Sequence, residues 1–281
     1  MAGTSSVVGN IRVDQDIFSK NSDIIFIEFA VNDQGSERFQ KSFEALVKKC
    51  LSQENEPAVV VITLCSQSGG SNQDWMEKVA KNYQVPVISG KDAIMNGIKA
   101  GTLSWNDYGS GDTLHPGNGG HKLISEFIGY YYRQALRSEN EDSEYTIPTS
   151  TVFGDEYSTA KLVDYSALQN LSTGSFNKGT NNSAYPNGFT NSKNGNNPLT
   201  FTVDGKGFML LFQSNSNSNM GTVIIDVNGK KREVSSNLQY TWGGLDADLG
   251  YYQSTSGKLN VTITMKDPSK TFIMYGIAVI K

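Results

Sequence analysis

Apolar residues in the first half of the chain follow two rhythms. Ile24–Phe29, Ala58–Leu64 and Val85–Ser89 are short apolar runs, as expected of strands covered on both faces. Between them, apolar positions recur at helical spacing: Phe39, Phe43, Leu46 and Val47 within Ser36–Cys50, and Trp75, Met76 and Val79 within Asn72–Tyr83. Residues 14–20 read as the end of a helix and Lys91–Ala100 as a further helix. Leu123–Leu136, rich in Ile, Phe and Tyr, reads as the last long one. Strands alternating with helices of this length predict a parallel sheet with helices on both faces.

Near residue 138 the rhythm changes. Ser138-Glu139-Asn140-Glu141-Asp142-Ser143-Glu144 is polar and acidic, the composition of a linker. Beyond it helical periodicity fades, and short β-type runs appear at Leu199–Val203, Phe208–Gln213, Thr222–Val227, Lys258–Met265 and Thr271–Ile280. Asp204-Gly205 and Asn228-Gly229-Lys230 are the turn signals between them. The pattern predicts an antiparallel β-sandwich. The predicted organisation is an α/β domain at 1–137, a linker at 138–149 and a β-sandwich at 150–281.

A chain of 281 residues is long enough for two such cores. A net charge of −4, with no face of clustered Lys and Arg, gives no electrostatic reason to expect nucleic acid. No apolar stretch reaches the length of a membrane span. Met1–Val13 lacks the charged-then-apolar pattern of a signal peptide. The two cysteines, Cys50 and Cys65, each lie in an apolar pattern and read as reduced, half-buried small residues. With two Cys and two His there is no four-ligand zinc set, and neither metal nor cofactor is expected.

Both histidines fall in one loop, Asp112-Thr113-Leu114-His115-Pro116-Gly117-Asn118-Gly119-Gly120-His121. A neutral imidazole accepts a proton from a hydroxyl nucleophile when a carboxylate on its other ring nitrogen fixes the tautomer. Asp112, three residues before His115, is placed for that part, and Pro116-Gly117 shapes the exit of the loop. The same spacing also fits a capped loop with a surface histidine. His121 opens a helix and reads as a helix-start or packing residue. Asn32 follows the carboxyl end of a buried strand, the edge where open α/β sheets form sites. Its amide is a candidate donor to an oxyanion; Asn32-Asp33-Gln34-Gly35 also reads as a plain turn.

Taken together, the strand-loop DIIFIEFAVND and the later DTLHPGNGGH before a helix resemble the SGNH (GDSL-type) hydrolase and esterase superfamily across residues 2–137. The Gly of Met1-Ala2-Gly3-Thr4-Ser5-Ser6 resembles that family's oxyanion-loop glycine. The resemblance implies a flavodoxin-like three-layer parallel sheet, with His115 the base, Asp112 its orienter, and the Gly3 N–H and Asn32 amide the oxyanion donors. It also implies a nucleophilic Ser in a Gly-Asp-Ser block on a first strand, upstream of the Gly3 block, and that block is missing from this chain. A fragment, a pseudoenzyme or a substitute serine are the three ways to read the gap, and the fragment is preferred. A separate polypeptide that completes the sheet is a further idea. Ser5 and Ser6 are poor substitutes because they lie on the expected oxyanion loop. Gly154-Asp155-Glu156-Tyr157-Ser158 echoes Gly-Asp-Ser with Glu in the serine position.

The second half carries aromatics among amides: Phe176, Tyr185, Phe189, Tyr240, Trp242, Tyr251 and Tyr252. Most read as core or edge residues; Trp242, beside Gly243-Gly244, is the candidate carbohydrate-binding surface residue. Phe201–Phe208 with Asp226–Lys230 resembles the jelly-roll modules attached to carbohydrate esterases of the SGNH type. The expectation is a serine-dependent esterase deacetylating an oligo- or polysaccharide, inactive in this chain for want of the nucleophile block. The alternative is a non-catalytic carbohydrate-binding protein or pseudoenzyme. The Asn- and Ser-rich second half and the family habit lean towards secretion or the cell surface; the acyl group, the sugar and the oligomeric state stay open.

Overall fold

The computed structural model describes residues 3–138 and 145–281; residues 139–144 of the expected linker lie outside the described residues. The first half runs α1 (Ser6–Asp16), β1 (Ile24–Ile27), α2 (Glu37–Leu51), β2 (Ala58–Thr63), α3 (Gln73–Asn82), β3 (Val87–Ser89), α4 (Gly90–Lys99), α5 (Trp105–Tyr108) and α6 (Asn118–Ala135). The second runs β4 (Lys161–Val163), β5 (Gln169–Ser172), β6 (Phe176–Lys178), β7 (Phe189–Asn191), β8 (Leu199–Asn215), β9 (Thr222–Val227), β10 (Lys230–Ser235), β11 (Trp242–Met265) and β12 (Ile273–Ile280). Two compact units result, one of Lys20–Asp155 and one of Met1–Ser19 with Glu156–Lys281.

In the Lys20–Asp155 unit, β1, β2 and β3 form a parallel sheet in that order, with Phe26 opposite Val60 and Val61 opposite Val87. Side chains alternate between its faces. Phe26, Val60, Ile62 and Ile88 meet Phe127, Ile128 and Tyr131 of α6 on one face. α2 packs against β2 and α3. Its buried stripe of Phe39, Phe43, Leu46, Val47 and Cys50 has helical spacing, with Glu37 in the first turn and Lys48 and Lys49 in the last, as the helix dipole favours. Among the described residues β1 pairs only with β2, so its other edge carries no strand. Phe26 of β1 meets the ring of Tyr132 on α6 edge-on at 6.4 Å, and Tyr130 and Tyr132 of α6 are exposed, as is Leu136 just past its end. Helix α6 begins at Asn118, five residues before the expected Leu123, and no helical pattern signalled the single-turn α5.

The other unit holds one curled antiparallel sheet of jelly-roll-like form, ordered β10-β9-β11-β8-β12-β7-β6, with β4 added to β12 and β5 to β8. Its core includes Phe201, Phe208, Leu210, Phe212, Ile225, Ile263 and Met274. The expected separation of Leu199–Val203 from Phe208–Gln213 by a turn is not found; the chain runs straight through as β8. Gly205 and Gly207 are there for close approach, because a Cβ would fall 2.5 Å from the Ile280 oxygen and 2.1 Å from the Tyr251 oxygen. Likewise the run at Lys258–Met265 extends back to Trp242 as β11, bending through three register shifts along β8. Asn228-Gly229 does form the β9–β10 turn, with φ of 52° and 89°.

Candidate active site

The loop of both histidines is built outward from α5. Ser104 and Asp107 close a capping box, which fixes that single turn. Trp105 then donates from its indole Nε1 to the Asp112 carbonyl oxygen at 2.7 Å. A β-bridge joins Gly109 to Pro116, and the Gly117 N–H donates to the Tyr108 oxygen at 2.7 Å. The glycine run serves this packing: a Cβ on Gly119 would lie 2.1 Å from the Asp107 oxygen, and one on Gly120 2.3 Å from the Tyr108 oxygen.

Held this way, Asp112 folds back on its own loop. Its Oδ1 accepts from the backbone N–H of Leu114 at 2.7 Å and of His115 at 2.8 Å, and its Oδ2 accepts from His115 Nδ1 at 2.7 Å. The backbone N–H groups of His115 and Leu114, then the His115 ring, hold the Asp112 carboxyl well below the usual carboxylate range. An ionised Asp112 assigns the ring proton to Nδ1, which leaves Nε2 as the acceptor. The His115 side chain is 72 % exposed and its partner 51 %. Among the described residues no hydroxyl is hydrogen-bonded to Nε2.

Asn32 sits on the loop leaving β1. The N–H groups of Asn32 and Asp33 both donate to the Phe29 oxygen, turning the chain so that Asn32 is exposed while Asp33 is buried. Sequence reasoning missed the residue that holds this turn. Asn72 Nδ2 donates to the Ala30 oxygen at 3.1 Å and to the Asp33 oxygen at 2.6 Å, and its Oδ1 accepts from Trp75 Nε1 at 2.8 Å. The loop between β2 and α3 also donates from the Gln67 N–H to the Thr113 oxygen at 2.9 Å. One loop at the carboxyl end of β2 thus ties down both the Asn32 turn and the Asp112–His115 turn. Its serines are engaged elsewhere: Ser66 Oγ bonds Ser68 Oγ and accepts from the Gly70 N–H.

Beneath the site lies a carboxyl with no role assigned from the sequence. Glu28 accepts from the Ala30 N–H at 3.0 Å, and burial raises its pKa above the ordinary value. It neighbours the buried Tyr108, whose hydroxyl burial pushes up to about 12.

The remaining sequence candidates separate by unit. Gly3 lies in the other unit, exposed in the turn before α1, with φ of +69°. Ser5 and Ser6, there too, are buried at the start of α1. In the Gly-Asp-Glu echo, Asp155 pairs with Lys48. His121 is exposed on the first turn of α6. Cys50 and Cys65 are free thiols and fully buried, deeper than the half-burial expected. Of the aromatics, Phe176, Tyr185 and Phe189 are buried, and Tyr251 and Tyr252 are half-buried. Tyr240 and Trp242 are 83 % and 78 % exposed. No described helix is long and apolar enough to cross a membrane.

No protein-family model matches this sequence, and no curated protein matches it. Solved structures do. One is a two-domain esterase active on acetylated mannans, 25 % identical, aligned over 100 % of this chain and 79 % of that one with a TM-score of 0.82. Another is such an esterase co-crystallised with mannopentaose, 23 % identical over 100 % of this chain and 78 % of that one, also with a TM-score of 0.82. The whole chain therefore has the fold of a two-domain carbohydrate esterase.

Proposed function

We propose that this chain belongs to a serine esterase of the SGNH type that removes acetyl groups from a mannan-like polysaccharide, and that the attacking serine is not among these 281 residues. The observation that carries the reading is the Asp112–His115 pair. A deeply ionised carboxylate fixes the imidazole with its acceptor nitrogen outward, at the carboxyl-terminal edge of a parallel sheet. In this reading His115 takes the proton of a serine hydroxyl as it attacks the acetyl carbonyl, then returns it to the departing sugar oxygen. Asp112 stabilises the imidazolium between those steps. The Asn32 amide donates to the oxyanion. The free edge of β1 is where a strand bearing the serine would add, its carboxyl end arriving beside Asn32. Domains at 1–137 and 150–281 divide the work, the first catalytic and the second holding the glycan.

Trp242 and Tyr240 support the second role, as exposed rings beside the amides of Asn215 and Gln213. Such rings stack on the C–H faces of sugars. The alternative of a non-catalytic glycan-binding protein rests on the same two rings.

The test is acetate release from acetylated mannan by the 281-residue chain, with labelling by a fluorophosphonate as the companion readout. The expected result is no release above buffer and no labelling. Turnover that the reagent abolishes would place the nucleophile inside these residues and overturn the assignment.

A further inference from the structure

Within the β-rich unit a cavity of about 470 Å³ lies between the carboxyl-terminal half of α1 and strands β4 and β12. We propose that this cleft binds a pyranose unit of a glycan, at a site separate from the Trp242 surface. The assignment rests on the carbohydrate reading above and adds a second point of contact.

The volume is that of a small-molecule pocket, roughly 300–1,000 Å³. Its floor is apolar, with Leu162, Phe189, Met274 and Ile277. Tyr165 forms a wall, fixed edge-on to Phe189 at 5.9 Å and covered by the Lys178 ammonium at 5.1 Å. A pyranose needs this combination, an apolar surface for its C–H face and polar groups around its rim.

The rim supplies the polar groups. Asp14 and Gln15 come from α1, Asp164 and Asn187 from the facing segments. Asp164 is set in advance, accepting from the Ser166 N–H at 2.9 Å and from Asn187 Nδ2 at 3.2 Å. That pairing directs the Asn187 amide and leaves its carbonyl oxygen to accept from a sugar hydroxyl. Asp14 and Asp164 are met there by Lys161 and by Lys178, whose ammonium lies over the Tyr165 ring, so the rim carries charges of both signs.

The experiment is a titration of the ¹⁵N-labelled 281-residue chain with mannopentaose, followed by amide spectra. The expected result is a set of shifts at Gln15, Ser166, Gly188 and Gly276 that persists in Trp242→Ala. Ala184→Trp, which places an indole at the mouth, is expected to weaken those shifts at least tenfold in apparent affinity. Asn187→Ala is expected to weaken them too and serves if the bulkier variant does not fold. Shifts confined to Tyr240–Gly244 would overturn the cleft and leave the glycan reading standing. No shift anywhere would overturn the glycan reading itself.

Discussion

Asp112 spends its carboxylate on three hydrogen bonds within four residues, and the proton balance of the site follows from that. Its folded pKa lies below the unfolded value of about 3.9. The bonds are therefore in force above that value and are lost only as pH falls through the folded one. The amide signals of Leu114 and His115 are expected to stay fixed down through pH 4 and to move only in stronger acid; movement at pH 4 would contradict the geometry. Glu28 has the opposite sign. Burial makes the folded chain hold this proton more tightly than the unfolded chain does. Stability is then expected to fall as pH rises from about 4.3, the unfolded value, through the raised one. Glu28→Gln removes that fall, so the variant should gain on the parent between pH 4 and pH 7 in urea midpoints. Parallel pH profiles would show that Glu28 is not the titrating group. The Asp112–His115 spacing and Asn32 were legible in the sequence because local bonds make them. Asn72 was not, because its bonds to Ala30 and Asp33 span about forty residues and leave no periodic mark.

At the scale of elements, the positioning of His115 depends on how closely α6 meets α5. Gly119→Ala and Gly120→Ala each drive a Cβ against a backbone oxygen, and each should cost about 1–3 kcal/mol. In an active form of the protein they should also cut turnover, since Tyr108 and Gly117 share the bonds that frame the loop. Glu44 on α2 is a second such anchor. Fully buried, it accepts from the N–H groups of Val152, Phe153 and Gly154 and from the Tyr83 hydroxyl. Glu44→Ala strands those donors and should destabilise the Lys20–Asp155 unit by about 3 kcal/mol, read from denaturant unfolding. The helices and parallel strands were readable because their apolar periods are strong. The lengths of β8 and β11 were not, because glycines that permit close strand contact carry the same composition as glycines that turn a chain. α5 escaped notice because one turn is too short to show a period.

At the scale of the whole molecule, the chain joins a parallel sheet bearing the Asp112–His115 pair to a β-rich unit with exposed aromatics. Helix α1 groups with the β-rich unit although it lies at the other end of the sequence, an association no local pattern announces. Trp242 is exposed and carries little packing, so Trp242→Ala should leave stability within about 0.5 kcal/mol while weakening retention on insoluble mannan. Unchanged retention would remove Trp242 from the glycan surface. The central claim is that Asp112 and His115 await a serine delivered beside β1. The most direct measurement is acetate release from acetylated mannan after a strand–helix segment carrying Gly-Asp-Ser is joined ahead of this chain. The expected result is fluorophosphonate-sensitive turnover that vanishes in His115→Ala and drops about 10⁴-fold in Asp112→Asn. A folded fusion that stays inactive, or one whose turnover survives His115→Ala, would contradict the account.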